Sequence, residues 1–138
     1  MKVIIDCSFA MSSILPDENE IKIEQLFYDI EQNKYKVLVP AIFYLECSNV
    51  LISAFVKKRI AKIDFDEYIN LLNLLPINID KFSTTSESLY AIASLSLKYN
   101  LTSYDASYLE LAIRMDAMIA TLDKNLILAC NLANVKVY

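Results

Sequence analysis

Residues 101–125 carry two carboxylates at positions where α/β proteins usually build chemistry. Asp105 falls in the first turn of a helix that Ser103 is placed to cap. Asp123 sits just past a short apolar strand, Met118 to Leu122. Between them Tyr108, Leu109, Leu111, Ala112 and Met115 recur near the 3.6-residue period. Two further acids stand in comparable places. Asp6 follows the first apolar strand, in Asp6-Cys7-Ser8. Glu46 lies in the second turn of a long helix, amid Phe43, Tyr44, Leu45, Cys47 and Val50. An acid buried in that company needs a partner. The three aspartates also have plain structural uses: Asp6 as a cap on the turn after its strand, Asp105 as a first-turn acid on a helix dipole, Asp123 as the N-cap of the last helix.

The strands of a parallel sheet point one way, so Asp6 and Asp123 leave the sheet at the same carboxyl edge. The helix of Glu46 follows the second strand directly and starts from that edge too. The helix of Asp105 follows another helix, so the pattern alone does not fix where it begins. Four carboxylates in one cleft would raise one another's pKa values. A hard divalent cation, Mg²⁺ or Mn²⁺, would offset that cost, because it takes oxygen ligands and bridges carboxylates to phosphate. The chemistry implied is metal-assisted phosphodiester hydrolysis, with the metal activating a water and polarising the phosphoryl oxygen.

Composition narrows the choice. The chain has no histidine, which removes Ser-His-Asp triads, Cys-His dyads, imidazole acid–base catalysis and His-ligated zinc. It has no glycine, hence no P-loop and no GxGxxG fingerprint. Asn33, Asn100 and Asn134 must then fill the left-handed positions at helix ends and turns. The three cysteines, Cys7, Cys47 and Cys130, form no CxxC and read as small buried hydrophobes in a reducing compartment. A net charge of −4 argues against a protein that coats nucleic acid by bulk charge, though not against a nuclease whose site is itself acidic. No apolar run reaches the roughly 18 residues of a membrane span, and the N-terminus opens on a strand with no signal-peptide layout. The expectation is a cytoplasmic protein of one domain, 1–138.

The elements alternate. Strands are expected at Lys2 to Cys7, Lys36 to Val39, Ile77 to Ile79, Met118 to Leu122 and Val135 to Val137. Helices are expected at Phe9 to Leu15, Asp17 to Asn33, Ala41 to Lys58, Phe65 to Leu75 capped by Asp64, Thr84 to Tyr99, a segment opening at Ser103, and Leu126 to Leu132. This predicts a three-layer α/β fold, with a mostly parallel central sheet of four to five strands flanked by helices.

These motifs together resemble the PIN-domain ribonucleases, and among them the VapC-type toxins of prokaryotic toxin–antitoxin pairs. The resemblance rests on Asp6-Cys7-Ser8 after the first strand, Pro40-(x)5-Glu46-x-x-Asn49, Ser103-Tyr104-Asp105-Ala106-x-Tyr108-Leu109-x-Leu111-Ala112 and Thr121-x-Asp123-x-x-Leu126. It covers nearly the whole chain. It implies a PIN-like fold and a Mg²⁺- or Mn²⁺-dependent endoribonuclease in which Asp6, Glu46, Asp105 and Asp123 hold the metal. It makes Ser8, Asn49 and Thr121 supporting or substrate-positioning groups. It also implies an RNA substrate, a homodimer, and a cognate antitoxin whose C-terminal segment occupies the cleft. Two positions depart from the family pattern: Cys7 stands where threonine is common, and Asp116-Ala117 where glycine is usual.

Lys57, Lys58, Arg59 and Lys62 form the dense positive cluster and are candidates for RNA phosphates; their plain use is to complement a helix C-terminus. Tyr44, Tyr104 and Tyr108 are candidates for base stacking or for packing. Two rival readings remain. An aspartate-based phosphatase or phospho-acceptor would prefer a second acid near Asp6, where Ser8 stands. A catalytically inactive PIN-like binding module would not need all four acids.

Overall fold

The structure is a computed structural model that describes residues 1–15 and 21–138. Its centre is a parallel sheet of four strands: β1 (Lys2–Ile5), β2 (Lys36–Pro40), β3 (Ile77–Asp80) and β4 (Met118–Ala120), in spatial order β3-β2-β1-β4. The register is set by Val3 opposite Val37 and Met118, with Val37 also opposite Ile77. Val3, Ile4, Ile5, Val37, Leu38 and Val39 are all buried, as expected of strands covered on both faces. The α/β class expected from the sequence is the one found.

The helices are α1 (Cys7–Ser12), α2 (Ile21–Glu31), α3 (Phe43–Val56), α4 (Lys62–Leu74), α5 (Ser86–Tyr99), α6 (Ser103–Met115) and α7 (Lys124–Leu132). The first four residues of the helix expected from Asp17 lie outside the described residues. Several boundaries differ from expectation for identifiable reasons. The last expected strand, Val135 to Val137, is reduced to one bridge from Val137 to Ile119. β4 stops at Ala120, whose ladder partner Ile5 is the last residue of β1 before the chain turns into α1. Asp64 is not the N-cap of α4 but sits one turn inside, accepting from the Ala61 N–H at 2.8 Å. α5 begins at Ser86, after a short 3₁₀ turn over Phe82–Thr84.

With no glycine in the chain, left-handed backbone falls to Asn33, Asn100 and Asn134 at φ 58, 53 and 56°, as expected, and also to Lys58 and Asp116 at φ 57 and 48°. Asp116 ends α6 in the left-handed conformation that glycine most often takes.

α6 is the element that positions most of the site. It packs across β1, β2 and β4, with α5 and α7 against it. Every residue from Ala106 to Ala112 is buried, so the helix is enclosed on most sides rather than amphipathic. Lys2 Nζ, at the start of β1, donates to Met115 O at 3.0 Å. The C-terminus of α6 therefore lies at the amino edge of the sheet, and its N-terminus, with Asp105, at the carboxyl edge. A partly buried ion-pair cluster ties α6 to β3: Arg114 bonds Glu110 at 2.8 Å and Asp80, the last residue of β3, at 2.7 Å.

Candidate active site

Asp6, Glu46, Asp105 and Asp123 line a single cavity of about 470 Å³ at the carboxyl edge, together with Cys7, Ser8, Tyr108 and Arg59. Asp6 is buried. Its Oδ1 accepts from the Phe9 N–H at 2.9 Å, and Ser8 Oγ reaches both carboxylate oxygens at 2.8 and 2.9 Å. Thr121 Oγ1 donates to Oδ2 at 2.6 Å and accepts from the Asp123 N–H at 3.0 Å. Asp6 thus caps α1 while facing the cavity, and the end of β4 is tied to the end of β1 through one hydroxyl. Ser8 Oγ also accepts from the Leu122 N–H at 2.9 Å, a second tie between those strand ends. Asp123 caps α7 by accepting from the Leu126 N–H at 2.8 Å. The structural uses foreseen for Asp6 and Asp123 hold, and they aim the same carboxylates into the cavity.

Asp105 is anchored by Thr102, whose Oγ1 donates to Oδ2 at 2.6 Å and accepts from the Asp105 N–H at 3.1 Å. Thr102 is the N-cap of α6, and Ser103 is its first residue rather than the cap. A threonine hydroxyl one residue earlier reaches the Asp105 N–H, three positions on, as an N-cap must.

Glu46 lies in the first turn of α3, since that helix starts at Phe43 rather than Ala41. Its Oε2 accepts a hydrogen bond from the Tyr108 hydroxyl. Tyr108 is 1% exposed, so it packs and holds Glu46 rather than stacking on a base. This is a site contact that the sequence reading missed. The signal lay in the motif itself, because Tyr108 stands three residues after Asp105 on the same helix side. Asn49, expected beside Glu46, is exposed and does not line the cavity. Helical geometry explains this. The buried stripe of α3 runs through Phe43, Cys47, Leu51 and Ala54. Val50 lies about 40° from Glu46 toward that stripe and lines the cavity, whereas Asn49 lies about 60° away on the solvent side.

Burial raises the Asp6 carboxyl above the ordinary carboxylate range. The hydrogen bonds from Thr121, Phe9 and Ser8 oppose the rise, and the charge of Asp123 adds to it. Glu46 is likewise raised by burial, against the Tyr108 bond, with the charges of Asp105 and Asp6 adding. The Tyr108 hydroxyl is pushed up by burial and by Glu46, so it stays a donor. The Cys7 thiol is pushed up by its contact with Cys47 and by burial, so it is protonated and a poor metal ligand. Cys47 and Cys130 are buried small residues as expected, while Cys7 is half-buried at the cavity wall.

The donor set fits a hard divalent cation: carboxylates and hydroxyls, no imidazole and no thiolate. Neither Asp6 nor Glu46 has a cationic partner among the described residues to offset its buried charge. As the side chains stand, no three acids among the described residues converge on a point that would hold an ion. Asp6, Glu46 and Asp105 are each tied to a different hydroxyl, and like charges keep apart. Of the basic cluster only Arg59 lines the cavity; Lys57, Lys58 and Lys62 are exposed elsewhere, Lys62 paired with Asp66 at 2.5 Å.

The architecture is a parallel α/β sheet with acids gathered at its carboxyl edge, and sequence comparison gives the family. The PIN domain profile matches residues 3–131, and this chain belongs to the PIN-domain family, a family of nucleases. No curated protein matches in sequence. Among solved structures, VapBC2 from Rickettsia felis, bound to a DNA fragment from their promoter, is similar at TM-score 0.70 and 12% identity, covering 100% of this chain and 98% of that one. FitAcB from Neisseria gonorrhoeae is similar at 0.67 and 16%, covering 99% and 96%. PAE2754 from Pyrobaculum aerophilum is similar at 0.63 and 15%, covering 94% and 84%. At these identities the likeness is one of fold. No helix among the described residues is long and apolar enough to cross a membrane.

Proposed function

We propose that this chain is a Mg²⁺- or Mn²⁺-dependent endoribonuclease, the toxin of a type II toxin–antitoxin pair. The observation that carries the reading is the meeting of Asp6, Glu46, Asp105 and Asp123 around one cavity in a PIN domain. PIN nucleases generally use divalent metals, and the oxygen-rich lining is consistent with that. When bound, the cation supplies Lewis acidity toward the phosphodiester and an activated water.

The residues of the chain prepare that chemistry. Asp6, Glu46, Asp105 and Asp123 are the groups that would hold the ion. Thr121 and Ser8 fix both oxygens of Asp6. Tyr108 turns Glu46 toward the cavity, and Thr102 holds Asp105 at the start of α6. At Asp6 the bonds from Thr121, Phe9 N–H and Ser8 favour the ionised carboxylate against burial, and at Glu46 the Tyr108 hydroxyl does the same. Attack by water needs no 2′-hydroxyl nucleophile, and with the 3′-oxygen as leaving group the products carry a 5′-phosphate and a 3′-hydroxyl.

The toxin role draws on the motif resemblance to VapC-type proteins and on the fold shared with the VapBC2 and FitAcB structures. It brings a cognate antitoxin, a homodimer and a cytoplasmic setting. The test is RNA cleavage by the purified chain with end-group analysis, beside Asp6→Asn. Cleavage that disappears in the variant, with its circular dichroism unchanged, supports the reading. Undiminished cleavage by Asp6→Asn, with contaminating ribonuclease excluded, sinks it.

A further inference from the structure

Among the described residues Arg59 is the one basic side chain on the wall of the acidic cavity. Its position is built by the end of α3. Lys57 is the C-cap, Lys58 takes the left-handed conformation at φ 57°, and the Arg59 N–H donates back to Ala54 O at 2.9 Å while the Lys58 N–H donates to Phe55 O at 2.9 Å. This is the hydrogen-bonded reversal that closes many helices, normally with glycine at the left-handed position. Placing lysine there costs about 1 kcal/mol or more. The reversal is pinned on both sides by buried residues, Ala54 before it and Ile60 after it. Its result is that Arg59 turns to the cavity, while neither Lys57 nor Lys58 lines it.

A guanidinium on a wall shared with four carboxylates would be expected to pair with one of them. Among the described residues Arg59 forms no ion pair. It is exposed, and its fork of donors remains available. Resting on the nuclease reading above, we propose that Arg59 is the substrate-binding residue that holds a phosphate of the RNA strand beside the scissile bond, and that Lys57, Lys58 and Lys62 make no such contact. Arginine suits the task because its planar donors meet phosphate oxygens bidentately and its charge does not titrate. The arrangement also answers an electrostatic problem. A polyanion approaching an acidic mouth is repelled less once cation and arginine together offset most of the charge on the wall.

The experiment is fluorescence anisotropy with a labelled 20-nucleotide single-stranded RNA in Mg²⁺, over a salt series. Asp105→Asn serves as the parent, so that the RNA is not cut during the measurement. Arg59→Ala in that parent is expected to weaken binding about tenfold and to lower the slope of log K against log salt by about 0.7, the share of one single-strand phosphate contact. Arg59→Lys should recover part of the affinity. Lys57→Ala, Lys58→Ala and Lys62→Ala should each change binding less than twofold. An unchanged affinity and slope in Arg59→Ala overturns the proposal, as do equal losses at all four positions, which would mean a diffuse field. Melting temperature checks that each variant is folded. Absence of cleavage by the wild-type chain, with RNA binding and the Arg59 effect intact, would refute the nuclease reading and leave the phosphate contact standing. Absence of binding in every protein overturns both.

Discussion

Tyr108→Phe isolates one supporting contact of the site without changing the shape of the core. Tyr108 is 1% exposed, and its hydroxyl donates to Glu46, which is half-buried at the cavity wall. Hydrogen bonds to charged groups contribute about 1.5–3 kcal/mol. Water from the cavity can replace part of this one, so the lower end applies, about 1.5 kcal/mol. For a chain of this size that lowers the melting temperature by about 5 °C. The pH dependence gives a sharper test. The Glu46 carboxyl is raised above its ordinary value by burial, and the Tyr108 bond is what opposes the rise. A carboxyl whose folded pKa is raised stabilises the fold below its unfolded pKa and loses that contribution as pH rises through the folded value. Removing the hydroxyl raises the folded value further, so the stability difference between the variant and wild type should be larger at pH 7 than at pH 4. Urea unfolding of both proteins at the two pH values, without metal, measures it. A difference below about 0.5 kcal/mol at pH 7, or one that does not shrink at pH 4, would refute the assignment of Tyr108 as the group that holds ionised Glu46.

Two further outcomes follow from the same geometry. Arg114→Ala leaves the carboxylates of Glu110 and Asp80, with side chains only 8 and 10% exposed, without their cation; a loss of about 2–3 kcal/mol is expected in denaturant unfolding, and a loss under 0.5 would contradict the lock between α6 and β3. Mg²⁺ should raise the melting temperature of the wild-type chain, by the equivalent of about 2.7 kcal/mol at a hundredfold excess over Kd, and the shift should be largely lost in Asp6→Asn. Because burial raises Asp6 as well, its ionisation counts against the metal-free fold as pH rises, so the Mg²⁺ effect should be greater at pH 7 than at pH 5. Equal shifts in wild type and Asp6→Asn would place the ion elsewhere.

The sheet was legible because its strands are short apolar runs between helical periods, and three asparagines marked left-handed positions in a chain without glycine. Asp6 and Asp123 were legible as strand-end acids, since strand direction alone sends both to one edge. Asp105 was less so: α6 follows α5 with no strand between, and its first turn reaches the carboxyl edge because α6 packs across the sheet and runs directly into the start of β4. Lateral detail was hidden for a similar reason. Sequence spacing puts both Asn49 and Val50 near Glu46, and the buried stripe of α3 decides which of them faces the cavity. Likewise, the four clustered basic residues Lys57, Lys58, Arg59 and Lys62 look equivalent in sequence. The left-handed turn at Lys58, which lysine rarely makes, separates Arg59 from the rest.

Asp6, Glu46, Asp105 and Asp123 are proposed to form a metal-dependent nuclease centre. The most direct measurement is cleavage mapping of total RNA by the purified chain, in Mg²⁺ and in EDTA, beside Asp105→Asn. Discrete cuts with 5′-phosphate ends are expected in Mg²⁺, none in EDTA, and none with the variant. Cuts that persist in EDTA, or that Asp105→Asn makes as well as wild type, would contradict that proposal.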